Sequence, residues 1–145
     1  MGAHGQGTMK VEILALCDYA RGESNGKLYI IGAFDRVFAA QEPVPHALCA
    51  LAARIRFESL ETGVKNLSVS FVDSDGAKIM PGLSAQINVQ IAAEEPSATV
   101  NFVLIIPQIN FPKFGEYSID FAVDSRIEAS IPIYVQRQPP PPAQR

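Results

Sequence analysis

Polar and apolar residues alternate with a period of two along most of this chain, most regularly near its C-terminal end. Tyr117, Ile119, Phe121 and Val123 are separated by Ser118, Asp120 and Ala122. After a break at Asp124, Ser125 and Arg126, the apolar set resumes as Ile127, Ala129, Ile131, Ile133 and Val135. Successive side chains of a strand point to opposite faces, so each run has one apolar and one mostly wet face. Two such runs across a short polar break predict an antiparallel hairpin, from Phe114 to Val135, lying on a hydrophobic core.

The same period recurs upstream. Val11, Ile13, Ala15, Cys17 and Tyr19 would share one face of a first strand, with Leu14 and Leu16 apolar on the other. Asn25-Gly26 is a hairpin-turn dipeptide, because a type I′ turn needs positive φ at both central positions. Leu28 to Ala39 is its partner, with Gly32 marking a bulge or a close backbone approach. Pro43 and Pro45 should close that unit. Further inward sets follow at Cys49, Leu51, Ala53, Ile55 and Phe57, at Leu67, Val69 and Phe71, and at Ile87, Val89 and Ile91. For the first of these a helix competes, but Arg54 and Arg56 repeat at two. Thr99 to Ile106 is apolar on both faces and stops at Pro107.

Eight or nine short strands with turn signals between them predict an all-β fold, an antiparallel immunoglobulin-like β-sandwich. Tyr117 sits where a tyrosine corner could form. Residues 1–8 read as a leader or tag-like segment, 9–136 as one domain, and 137–145 as a proline-rich disordered tail.

At 145 residues the chain can bury a core without metals or disulfides. Its net charge of −3 with scattered Lys and Arg argues against nucleic acid, since no basic stripe exists to displace counterions. No apolar run reaches membrane-helix length and no signal-peptide pattern opens the chain, so a cytoplasmic location is expected. Cys17 and Cys49 could pair across a sandwich, but nothing else indicates an oxidising compartment. Reduced cysteines packed as small hydrophobes are the favoured expectation.

Candidate chemistry is thin. Asp73-Ser74-Asp75-Gly76 fails the calcium-loop register: counting from Gly76 as sixth position puts Phe71 first and Gly82 twelfth. An ordinary turn is the simpler reading. His46, in a proline-flanked loop, is three residues from Cys49, yet Cys49 begins an inward set, which suits no activated thiol. No nucleophile elbow and no His/Cys metal spacing is present. The expectation is no catalytic residue, no cofactor and no metal, and hence a non-enzymatic module.

Three stretches carry a resemblance: L-C-D-Y-A (Leu16 to Ala20) followed by G-K-L-Y-I-I-G-A-F-D-R-V (Gly26 to Val37), F-V-D-S-D-G (Phe71 to Gly76), and F-G-E-Y-S-I-D-F-A-V-D (Phe114 to Asp124). In order and spacing the chain resembles, from Lys10 to Val135, a family of small uncharacterised bacterial β-sandwich proteins, a domain of unknown function. The resemblance implies a bacterial or phage-like origin and the sandwich fold, and brings no activity or cofactor.

The surplus of apolar faces points to assembly. Leu14 and Leu16 in one strand, and Val103 and Ile105 in another, would lie on outer faces, where soluble monomers rarely leave contiguous apolar patches. A loop such as Gln41 to Leu48, a second copy or a protein partner would have to cover them. Interaction or assembly is therefore the expected role; the alternative is a small-ligand or carbohydrate-binding module using the loops at one end. The absence of Trp weakens the carbohydrate case.

Overall fold

The computed structural model describes residues 9–139, so the leader segment and most of the proline tail lie outside the described residues. Nine strands follow in order: β1 (Lys10–Gly22), β2 (Leu28–Ala33), β3 (Arg36–Ala39), β4 (Val44–Glu58), β5 (Gly63–Asp73), β6 (Leu83–Val89), β7 (Ser97–Phe111), β8 (Gly115–Val123) and β9 (Arg126–Arg137). A single 3-10 turn at Ser59–Glu61 is the only helical piece among the described residues. The strands form two sheets, ordered β2-β1-β4-β7 and β3-β9-β8-β5-β6. The fold is an immunoglobulin-like β-sandwich.

Most of the predicted inward sets hold. Tyr117, Ile119, Phe121 and Val123 of β8 are buried, with Leu67, Val69 and Phe71 opposite them on β5. From the other sheet, Cys49, Leu51, Ala53, Ile55 and Phe57 of β4 close the same core. Each large apolar side chain enclosed this way contributes about 1.5–3 kcal/mol. The tyrosine corner is present: the Tyr117 hydroxyl donates to the Lys113 carbonyl at 2.6 Å, and its ring meets Phe111 edge-on at 4.9 Å.

The strand from Leu28 to Ala39 is two strands. It leaves the first sheet at Phe34-Asp35 and enters the second, where β3 runs parallel to β9, with Arg36 opposite Tyr134 and Ala39 opposite Arg137. Among the described residues this is the one parallel pair, and the other ladders are antiparallel. Arg137, read from the sequence as part of the tail, belongs to β9.

The prolines also need correction. Pro45 lies within β4, opposite Asn110 of β7. Its missing N–H is tolerated because β1 pairs with β4 only as far as Cys17 and Ala50, leaving one side of that segment without a ladder. His46 is likewise in a strand and not in a loop, its ring 5.0 Å from that of Phe34. Pro107 does not end β7, which continues to Phe111.

The turn with two left-handed residues is not the one at Asn25-Gly26. Positive φ at two adjacent residues occurs at Asp124 and Ser125, φ 50° and 68°, which join β8 to β9. At Asn25-Gly26 only Gly26 is left-handed, within a longer loop closed by the Glu23 N–H to Lys27 carbonyl bond. Between β8 and β9 the register slips at Phe121 and Ala122, so Ile127 faces outward opposite Ala122 and is 61% exposed.

Phe121→Ala should therefore lower stability by about 3–5 kcal/mol, because it opens a cavity between the sheets. Ile127→Ala should change the denaturation midpoint very little. Equal effects of the two in urea titrations would contradict this register.

Candidate interaction surface

The four residues expected at an interface do not all share one exposed face. Between Val11 and Ile13 the register of β1 with β4 slips by one residue, and a bulge of this kind reverses the faces that follow. Val11 faces the core, and beyond the bulge so do Leu14 and Leu16, the latter 1% exposed. The placement of Leu14 and Leu16 on an outer face is thus corrected. Val103 is on the outer face but half-buried; Ile105 alone is open, at 53%.

Val103 is covered by the chain itself, though not by the Gln41–Leu48 segment. Beyond Cys17, β1 stays paired to β2 but leaves β4, and the two-stranded ribbon folds back across the outer face of its own sheet. Three observations establish this. A Cβ on Gly22 would stand 3.6 Å from that of Asn101, although β4 lies between β1 and β7 in the sheet. The Gly26 carbonyl accepts hydrogen bonds from Arg54 Nη1 at 3.2 Å and Asn101 Nδ2 at 3.0 Å. Cys17, Ala20, Ala50 and Ala52 are buried together, with Leu28, Ile30 and Val103 packed around them.

The local sequence explains the fold-back. Ala50 and Ala52 are small enough for a ribbon to lie close on the sheet. At the bend Gly32 has φ +71°, and a Cβ there would stand 2.4 Å from Asp18 Oδ2. Only glycine fits both the conformation and the space. A charged network borders the ribbon tip: Glu12 pairs with Arg56 at 2.6 Å and Arg54 at 3.3 Å, and Arg54 also bonds Asn101. The Arg56 hydrogen bond, above all, holds the Glu12 carboxyl below its usual range, and Glu12 in turn raises Arg56.

Covering one patch creates another. The solvent face of the ribbon carries Tyr19, Tyr29 and Ile31, exposed at 48%, 41% and 59%. Tyr19 lies opposite Ile31, and Arg21 opposite Tyr29. The Arg21 guanidinium lies 5.5 Å from the Tyr29 ring centre and pairs with Glu23 at 2.6 Å. These side chains line a shallow depression of about 590 Å³ together with Leu28 and Ile30. A straight strand would keep Tyr19 on the face of Cys17; the bend turns it to solvent, and Gly32 is the residue in the sequence that signals it.

The remaining candidates take structural places. Cys17 and Cys49 are both free and buried, Cys17 in the outer cluster and Cys49 in the central core, so their side chains point to opposite faces of the sheet. The Asp73 carboxylate accepts from the N–H groups of Asp75 and Ala77, both at 2.9 Å, which closes the turn. Asp124 Oδ1 accepts from the Asn66 N–H at 2.9 Å and ties the β8–β9 turn to β5. Among the described residues no group of three or more His, Cys, Asp or Glu could hold a metal ion. No described helix is long and apolar enough to cross a membrane. At one end of the sandwich, a cavity of about 380 Å³ is lined by Met9, Phe57 and Leu60 with the charged Glu61, Lys65, Asp124, Arg126 and Glu128.

A family model described as a family of unknown function, DUF6941, matches residues 12–136. The chain belongs to this family. The match spans both sheets and includes the folded-back ribbon. No curated protein sequence matches the chain. Among solved structures it is similar to an immunoglobulin-like protein from Pseudomonas aeruginosa, at 13% identity over 91% of this chain and 99% of that one, with a TM-score of 0.35.

Two expectations follow. A β-branched residue at the left-handed Gly32 costs about 1–2 kcal/mol. Gly32→Val should thus open the ribbon more often and raise the labelling rate of the Cys17 thiol on the order of tenfold, with Cys49 unchanged. Mass spectrometry of the labelled peptides reads this directly. The second concerns pH. Burial pushes the Cys49 thiol up to about 11, from about 9 in the unfolded chain, and raises Cys17 as well. The folded state keeps a proton that the unfolded chain releases, so stability is retained below about pH 9 and falls as the pH rises toward 11. The fall attributable to Cys49 is at most about 2–3 kcal/mol. Cys49→Ala should flatten that decline in urea midpoints measured across the same window.

Proposed function

We propose that this DUF6941 domain is a non-enzymatic, cytoplasmic interaction or assembly module that engages a protein partner through the outer face of its ribbon. The exposed patch of Tyr19, Tyr29 and Ile31 carries the reading. Aromatic side chains with an apolar neighbour and a flanking arginine are the composition of interface centres. Tyrosine is suited to this place because it adds large contact area with few rotors to freeze. The patch is also held firmly, since the underside of the same ribbon is packed on Ala50, Ala52 and Val103.

A small-ligand or carbohydrate-binding role is the second reading, favoured by the charged cavity at the Glu61–Arg126 end. Its lining mixes both signs of charge with the apolar Met9 and Leu60, as a polar small molecule would require.

The two readings separate experimentally. Replacing Tyr19, Tyr29 and Ile31 together by serine should leave the melting temperature nearly unchanged and abolish recovery of a specific protein from native lysate. Identical recovery by the wild type and the triple variant would refute the ribbon face. A sugar, nucleotide or other small ligand that raises the melting temperature, and loses that effect in Lys65→Ala and Arg126→Ala, would favour the cavity instead.

A further inference from the structure

The flank of the sandwich opposite the ribbon bend is almost free of charge. The Phe34–Asp35 link places β2 and β3 on one flank, so the edge strands β7 and β6 lie on the other. Between Lys78 and Lys113 the only charged residues are Glu94 and Glu95, in the loop joining those two strands. Strand β7 runs for 15 residues and pairs with β4 alone. Among the described residues, the backbone from Ala98 to Phe111 makes no other backbone hydrogen bond. A long row of amides and carbonyls on its free side is left to solvent.

Open edges of this kind are normally blunted by charges, prolines or short length. Three other open edges here follow that rule, while the uncharged edges of β2 and β6 are about half as long as β7. The unpaired part of β1 carries Lys10 and Glu12, and that of β9 carries Arg126, Glu128 and Pro132. Strand β3 has four residues. On β7 the stretch from Ser97 to Ile106 has neither a charge nor a proline, and Pro96 and Pro107 flank it on both sides.

We propose that β7 is a homodimer edge, pairing antiparallel with β7 of a second copy across a two-fold axis. Self-pairing suits this strand because its uncharged side chains meet an uncharged set with no like-charge contact. The symmetry also fixes the register. An axis normal to the sheet keeps core-facing residues opposite core-facing residues, and directly opposed residues share a face. The axis must then pass through a residue and not between two, which near the middle of the stretch means Asn101 or Phe102. With Phe102 on the axis, Val100 of one copy faces Leu104 of the other, and Pro107 meets Ser97 at the end of the ladder. The same axis brings the two uncharged β6 strands to each other in the second sheet. Ile105, exposed in the monomer, would then be partly covered.

This inference deepens the assembly reading by naming one partner, at a surface separate from the ribbon patch, so its failure leaves the ribbon experiment standing. The test is sedimentation equilibrium over a range of concentrations, with hydrogen exchange on the same samples. The wild type should approach twice 15.7 kDa as concentration rises. The β7 amides that face away from β4 should become protected in step. Ile105→Lys, which places a lysine on an already exposed position of the edge, should shift the mass to the monomer value, while Ile31→Lys on the ribbon should not. A wild type monomeric at all concentrations overturns the proposal, and so does a dimer whose outward β7 amides exchange freely. Should Ile105→Lys fail to fold, the wild-type exchange pattern decides alone.

Discussion

A strand that is apolar on both faces has to be covered twice, and β4 imposes that requirement on the whole molecule. Leu51, Ala53 and Ile55 face the second sheet, while Ala50 and Ala52 face the other way. The first set is met in the usual manner by sheet-on-sheet packing. The second set is met by bending the β1–β2 ribbon back over the sheet it came from. The alanines set how close that ribbon can lie, Gly32 allows the bend, and the Gly26 carbonyl anchors the tip to Arg54 and Asn101. The exposed tyrosines are a by-product of the same geometry. A ribbon has two sides, and burying Ala20, Leu28 and Ile30 turns Tyr19, Tyr29 and Ile31 to solvent.

The fold was legible where one face of a strand is wet. The inward sets of β5 and β8 and the β8–β9 turn could be read from alternation alone, because a polar face fixes the register. Alternation failed where both faces are apolar. In β1 the period of two cannot tell Leu14 and Leu16 from Ile13 and Ala15, and a one-residue bulge decided the matter. Pro45 and Pro107 misled for a related reason: a proline excludes a ladder on one side only, and each sits where one side is free. The break at Phe34–Asp35 carries only a weak signal, since the exposed Asp35 and Arg36 also suit the outward positions of a continuous strand.

The candidate surface was less legible than the fold. Exposed tyrosines on an alternating strand are indistinguishable in sequence from buried ones. The fold-back depends on contacts between Gly22 and Asn101 that no local pattern encodes. What could be read was the surplus of apolar residues, and that surplus was real. Part of it is absorbed by the ribbon, while Ile105 and the ribbon's outer face stay open.

The parallel pairing of β3 with β9 bears on how the molecule is made. Arg36 to Ala39 leave the ribosome early, yet their partners Tyr134 to Arg137 are among the last residues of the domain to emerge. For most of synthesis β3 has no ladder to join, and the core beneath Val37 cannot close. Contacts so distant along the chain form slowly, after the loop between them has been ordered. The nascent domain therefore spends that interval with its crossing point unsealed, and completion of the fold waits for β9 to be made.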